Sequence, residues 1–190
     1  MSRIEPVSPP YTPEQEARIG TFKVGETMVP PLAIFRTFAS HPELQDAMKS
    51  LGRFYLRSGA GGAASITLRD REVVIDRVCA RCGCEYEWGV HIAFFGEQVE
   101  LTAPQVTATV RGDASDPAWP ERDRLLIRLV DELHDDASIS ESLWLALAAV
   151  WSRAQLLELL ILAGWYHAIA YLANGIKLDF EPWAPTFPAR

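Results

Sequence analysis

The sequence predicts an all-α protein. Three observations carry that reading. Apolar residues recur at helical spacing in several segments, helix-start motifs precede them, and no segment alternates as a half-buried strand would. Hydrophobic residues make up 48% and charged residues 23% of the 190-residue chain, a globular composition with enough length for a real core.

The elements follow in order. The first ~10 residues are proline-rich and read as an extended arm. Thr12-Pro13-Glu14-Gln15 is a helix start, with a hydroxyl cap, a proline in the first turn and Gln at the capping-box position. Pro30-Pro31 breaks the chain before LAIFRTFAS. His41-Pro42 opens a longer helix with Leu44, Met48, Leu51 and Tyr55 on one face. SGAGGAA at 58–64 reads as a flexible turn. Thr67 begins TLRDREVVIDRVCARCG, in which Val73, Val74, Arg77 and Val78 fail to alternate, so a helix is expected, stopped by Gly83. EYEWGVHIAFF restarts a helix, and Leu101 to Asp116 reads as a short helix and a loop. Pro120 opens ERDRLLIRLVDELH, whose Leu125, Leu126, Leu129, Val130 and Leu133 form an apolar stripe. Capping boxes are expected at Ser138–Glu141 and Ser152–Gln155. The last helix should run from Arg153 to an Asn174-Gly175 cap and bury Leu159, Leu162, Ile169 and Leu172. The tail KLDFEPWAPTFPAR looks like an arm that packs on something.

Bulk properties narrow the function classes. A net charge of −7 with scattered Lys and Arg argues against nucleic acid. Leu156 to Ala173 is very apolar, but Glu158, Gly164 and His167 interrupt it, so a buried helix is expected rather than a membrane span. MSRIEPVSPPYTPEQE has no apolar core of a secretory signal, and three cysteines within six residues do not form a disulfide framework. A cytoplasmic location is expected.

The chemistry concentrates in CGCEYEWGVH, residues 82–91. On a helix beginning near Cys84, the residues Cys84, Glu87 and His91 fall at i, i+3 and i+7 and share a stripe. Glu87 can then orient His91, whose ordinary pKa near ~6.5 suits a proton carrier. Glu72, on the preceding helix, could fold back as a second base or hold a water. If both acids lie near His91, repulsion should raise the pKa of one. Cys84 at a helix N-terminus would be favoured as thiolate. Tyr86 and Trp88 point off the stripe and read as packing residues, with Tyr86 the better placed to reach a pocket. His167, inside the most apolar helix, reads as a hydrogen-bonded core histidine or a pocket residue.

The other constellations are weaker. Cys79-Ala-Arg-Cys82 is a lone C-x-x-C, and Cys82, Cys84 and His91 do not have the usual structural-zinc spacing, so no metal and no cofactor is expected. Asp131, Glu132, His134, Asp135 and Asp136 read as a solvated helix end.

LRDREVVIDRVCARCGCEYEWGVHIAFF resembles the carboxymuconolactone decarboxylase family, whose all-helical fold is shared with alkylhydroperoxidase D. The matching motifs are Leu68-Arg69-Asp70-Arg71-Glu72, then Cys84-Glu85-Tyr86-Glu87-Trp88, then His91. LVDELHDDASIS and LLELLILAGWYHAIAYLANGIKL resemble the long form of the family. The resemblance implies an N-terminal arm and short helix at 1–29, a family-like helical domain at 30–180, and a C-terminal arm at 181–190. With the Trp- and Phe-rich tail it also implies a homo-oligomer, a dimer or a trimer-based assembly such as a hexamer, acting on a small molecule; the charge and the interrupted apolar helix argue against nucleic acid and membrane.

The resemblance leaves three functions open. In the hydroperoxidase branch a Glu, a water and a His activate a C-x-x-C pair. By position Glu72, Cys84 and His91 match, but Glu87 stands where the second Cys belongs, leaving Cys79 or Cys82 to substitute as redox partners. The decarboxylase branch implies cofactor-free acid–base chemistry, decarboxylation or isomerisation of a small lactone or carboxylic acid, with Glu72, Glu87 and His91 as the set. A non-catalytic binding module would keep the same residues as a sealed, satisfied network.

Overall fold

The computed structural model describes residues 2–56 and 63–189, so most of the SGAGGAA turn lies outside the described residues. Among them are nine helices: α1 (Pro13–Ile19), α2 (Ala33–Phe38), α3 (Pro42–Leu56), α4 (Leu68–Arg81), α5 (Glu85–Phe95), α6 (Ala103–Arg111), α7 (Glu121–Asp136), α8 (Glu141–Ala148) and α9 (Arg153–Ile176). The fold is helical, as expected, with one addition. Strands β1 (Phe22–Val24) and β2 (Thr27–Val29) pair antiparallel, Phe22 opposite Val29. Gly25, at φ +55°, turns the chain between them. Arms of three residues are too short to display alternation, which hid the hairpin.

Helix α4 runs through the middle, packed against α5, α6, α7 and α9. A Thr67 capping box starts it, and every residue from Asp70 to Cys79 is buried. Its charged side chains reach its neighbours. Asp70 accepts from Arg122 (2.9 and 2.7 Å) and from Trp151 Nε1 (3.1 Å). Arg77 grips Asp131 through two hydrogen bonds (2.7 and 2.8 Å) and donates to the Thr109 and Gly112 carbonyls. Asp131 is therefore an ion-pair partner rather than part of a solvated helix end. Arg81 binds Asp135, and Glu132 accepts from the Ser140 amide (2.6 Å).

Four local expectations need correction. On α3, Leu44 is exposed and Gln45 is buried, because the inward face of this helix lines a cavity instead of filling the core. Helix α8 is capped by Ser140, whose side chain accepts from the Leu143 amide, so the Ser138 box does not form. Helix α9 passes through Asn174-Gly175 and ends at Lys177, φ +53°. There Arg3 of the N-terminal arm donates to the Gly175 and Ile176 carbonyls, and Asn174 Nδ2 is committed to the Cys82 carbonyl (2.9 Å). Leu172 is only half-buried, while Leu159 and Leu162 are sealed in the core. By length and composition α9 could cross a membrane. Its inner face packs on α4, and its outer face exposes Leu157, Ile161 and Tyr171.

The C-terminal arm packs on α5. Glu181 accepts from the Ala33 amide (2.6 Å) and the Tyr86 hydroxyl (2.8 Å), Trp183 meets Phe94, and Phe187 meets Trp88. This close seating requires Gly89, where an added Cβ would lie 2.2 Å from the Pro185 carbonyl oxygen. Gly89→Ala should cost about 1–3 kcal/mol by overpacking, lowering the thermal midpoint by roughly 2–10 °C for a chain of this size. Limited proteolysis should cut the arm first. An unchanged midpoint would show that the arm is not held there.

Candidate active site

Three helices bring one polar cluster together. Glu72 comes from the core of α4, Glu87 and His91 from successive turns of α5, and Tyr166 from the buried face of α9. His91 Nδ1 lies 2.7 Å from Glu72 Oε2, and Arg71 Nε donates to Glu72 Oε1 at 2.5 Å. Arg71 also donates to the Tyr55 carbonyl (2.8 Å) and lies over the Phe95 ring. On the other side of the imidazole, Nε2 lies 3.0 Å from the Tyr166 hydroxyl and 3.5 Å from Glu87 Oε1.

The cluster is buried but not closed. A cavity of about 760 Å³ is bounded by Gly20 to Phe22, by α2 and α3, and by Trp165, Tyr166 and Ile169. Its walls are mostly apolar, with Phe22, Phe35, Phe38 and Met48 among them, while Lys49 and the exposed Arg53 line it from α3. Glu87 and Tyr166 line it too, whereas Glu72 and His91 stand behind them. Glu87 Oε2, Gln45 Oε1 and Trp165 Nε1, all on cavity-lining residues, are buried without a hydrogen-bond partner among the described residues. Behind the cavity, Arg71 Nη2 and Asp76 Oδ1 are likewise buried without a partner among the described residues.

Electrostatics fix the protons. Burial works against a charged imidazole, but the attraction and hydrogen bond of Glu72, with help from Glu87, push the His91 pKa up to about 10. His91 is thus an imidazolium at neutral pH, not a group poised near neutrality. Burial, with Glu87 and Glu72 nearby, raises Tyr166 well above its ordinary value and keeps its hydroxyl protonated. The carboxyl raised by its neighbours is Asp76, one turn beyond Glu72. Burial first and then the Glu72 charge push it well above the usual carboxylate range.

The sequence-predicted residues divide. Glu72, Glu87 and His91 meet, but Glu72 rather than Glu87 makes the short bond that orients the imidazole. Cys84 occupies the cap position of α5, yet burial pushes its thiol up to about 12 and outweighs the helix terminus. Cys79 is fully buried, and its thiol is also raised, by burial and then by Cys84 and Glu87. None of the three cysteines lines the cavity. The Tyr86 hydroxyl is held between the Ile34 amide and Glu181, outside the cavity lining.

His167 lies elsewhere too. It packs on His134 and Tyr171 beside a separate space of about 140 Å³. Cys82 joins these two histidines instead of grouping with Cys84 and His91. Sequence reading missed Tyr166, Asp76 and Arg71. For Tyr166 a signal existed: it continues the Leu159–Leu162 face of α9, which His167 leaves by one residue.

The fold is helical and alkylhydroperoxidase D-like. One similar solved structure is a protein of unknown function from Agrobacterium tumefaciens, provisionally described as an antioxidant defence protein AhpD. It is 17% identical with a TM-score of 0.64, over 80% of this chain and 96% of that one. Another is the alkylhydroperoxidase AhpD core of an uncharacterized peroxidase-related protein from Ralstonia eutropha JMP134. It is 16% identical with a TM-score of 0.66, over 78% and 76% of the two chains. No curated protein matches the sequence. Residues 42–130 match the sequence model of the carboxymuconolactone decarboxylase family, and this segment holds Glu72, Glu87 and His91.

Linkage gives a test of the His91 charge. A folded-state pKa raised from 6.5 to about 10 adds stability that is complete below pH 6.5 and lost as pH rises towards 10. The unfolding temperature of the wild type should therefore fall between roughly pH 7 and 8.5, before unfolded-state cysteines ionise. In His91→Gln that slope should flatten. An equal slope in the variant would place the titration on another group.

Proposed function

We propose that the protein is a cofactor-free acid–base enzyme that decarboxylates or isomerises a small lactone or carboxylic acid. One observation carries the reading: Glu87 lines the cavity with one carboxylate oxygen facing the His91–Glu72 pair, while the other is buried without a hydrogen-bond partner among the described residues and so is open to a ligand's proton once the side chain turns. The cavity suits a ligand with an apolar body, and Lys49 and Arg53 suit its carboxylate.

In this reading the imidazolium donates through Nδ1 to Glu72 and through Nε2 to the Tyr166 oxygen. The Tyr166 hydrogen is then directed to a substrate oxygen. For isomerisation, Glu87 Oε2 takes a proton from carbon, the electron pair moves into the conjugated carbonyl, and Tyr166 supports the oxyanion. Glu87 then returns the proton to a different carbon. For decarboxylation, the pair of the breaking C–C bond enters the same system, CO₂ leaves, and the dienolate receives a proton by way of Tyr166 and His91. His91 is thus a proton relay and a fixed positive charge, and Glu72 and Arg71 are positioning residues.

The thiol peroxidase alternative is less well supported. A nucleophilic thiol needs access and a lowered pKa, and Cys79 and Cys84 have neither. We further propose a cytoplasmic protein, which its free cysteines suit. It would assemble with copies of itself through the outer face of α9, where Leu157, Ile161 and Tyr171 flank Gly164 and Ala168.

Lactones, unsaturated carboxylic acids and hydroperoxides should be screened against the wild type, with a dithiol reductant present for the peroxides. For an accepted lactone or acid, Glu87→Gln and Tyr166→Phe should each lower kcat/KM by about 10²–10⁴-fold, and Cys84→Ser should leave it near the wild-type value. Hydroperoxide turnover that alkylation of the cysteines abolishes would instead establish the thiol reading. Light scattering should find an oligomer that Ile161→Lys dissociates; a wild-type monomer at micromolar concentration would remove the assembly.

A further inference from the structure

Outside the cavity, the structure gathers one more set of chemically competent side chains. Cys82 caps the C-terminus of α4, His134 lies in the last turn of α7, and His167 lies in the second half of α9. These residues are 52 and 33 positions apart in sequence, so no linear motif announces them. Cys82 Sγ lies 4.0 Å from His134 Nδ1, and one donor atom from each of the three residues lies within 4.8 Å of the others. All three are half-buried. The two imidazoles stack nearly parallel, 18° apart, and Tyr171 packs edge-on against His167.

From this juxtaposition we infer a zinc site: Cys82, His134 and His167 bind one Zn²⁺ ion per chain and leave its fourth position open. A thiolate with two imidazoles is a borderline-soft donor set that suits this ion, and an open fourth position marks exchangeable rather than closed zinc sites. Tetrahedral zinc, with bonds of about 2.0–2.3 Å, holds its donor atoms roughly 3.4–3.6 Å apart. Side-chain rotations that close the trio by about an ångström therefore complete the geometry, with no movement of the helices.

The surroundings fit as well. Val78, Val130, Leu133 and Leu160 wall the adjoining space of about 140 Å³, which is roomy enough for a water as fourth ligand. The nearby cation, Arg81, is committed to Asp135 and Asp131 and so does not oppose the ion alone. On binding, Cys82 releases its proton to solvent as the sulfur–zinc bond forms, and the imidazoles bind through neutral nitrogen. The ion would tie the end of α4 to α7 and α9.

The test uses the full chain, freed of metal by chelator dialysis and titrated with Co²⁺. Binding at the proposed site gives a thiolate-to-cobalt charge-transfer band and the strong visible bands of a four-coordinate ion, saturating at one ion per chain and bleached by Zn²⁺. Cys82→Ser should abolish the charge-transfer band. His134→Ala and His167→Ala should weaken Zn²⁺ binding by about 100-fold or more, beyond the usual effect of losing an outer-shell partner. Cys84→Ser should bind as the wild type does.

As a second measurement, Zn²⁺ should raise the unfolding temperature of the wild type and of Cys84→Ser, but not of Cys82→Ser or His167→Ala. Wild type without a charge-transfer band, or a band that survives Cys82→Ser, would overturn the site. So would equal zinc stabilisation of all the variants.

Discussion

A helix buried on every side cannot carry charge unless its neighbours supply the partners. That constraint organises this molecule. Between Asp70 and Cys79 no residue of α4 reaches solvent, yet five of the ten are Asp, Glu or Arg. An ion left unpaired in such a place costs several kcal/mol, far more than a favourable contact returns. Each pairing therefore dictates where another element must lie. Asp70 draws in Arg122 and Trp151, which fixes the start of α7 and the turn before α9. Arg77 draws in Asp131 and the end of α6. Glu72 draws in His91, which sets the angle of α5.

The same constraint separates structure from reactivity. Around Arg77 the accounting is complete, with two carboxylate oxygens and two carbonyls for one guanidinium. Around Glu72 it is not. The pair with His91 is sound, but the surplus passes outward to Tyr166 and Glu87, ending at a carboxylate oxygen with no partner. Burial, and then the Glu72 charge, push the Asp76 carboxyl well above the usual carboxylate range. Opposite charges then alternate from Arg71 through Glu72 and His91 to Glu87, and the last of them borders a cavity large enough for a small molecule.

Much of this was legible in the sequence, and the limits have physical causes. The helices announced themselves through caps and periodicity, and the failure of α4 to alternate marked it as a helix buried all round. Glu72, Glu87 and His91 were found because spacing on one helix, with a family motif, brings them together. Their roles were not, because a pKa depends on distance and burial. The 2.7 Å contact with Glu72 holds the His91 pKa up at about 10, and burial pushes the Cys84 thiol up despite its helix-end position. The Cys82–His134–His167 trio was out of reach for a simpler reason. It is assembled by tertiary packing across separations of 52 and 33 residues, and no local pattern encodes that.

The division of labour along the chain has a consequence for substrate choice. Glu72, Glu87 and His91 lie in the segment at 42–130 that matches the family. Several cavity walls do not: Phe22, Ile34, Phe35 and Phe38 precede that segment, and Trp165, Tyr166 and Ile169 follow it. Phe22 reaches its place because the short hairpin and its stacking on Phe35 fold the N-terminal region over the opening. That region is therefore part of the site and not a passive arm. On the proposed reading, an acid–base set of this kind could accept a proton from many carbon acids and would not by itself select one. Selection would then fall to the aromatic wall from the N-terminal region, to Lys49 and Arg53 on α3, and to the α9 residues that line the same cavity. On the acid–base reading proposed above, the same Glu–Glu–His arrangement set among other flanking segments would meet differently shaped molecules, because a site's chemistry and the shape of its walls are separate properties of a fold.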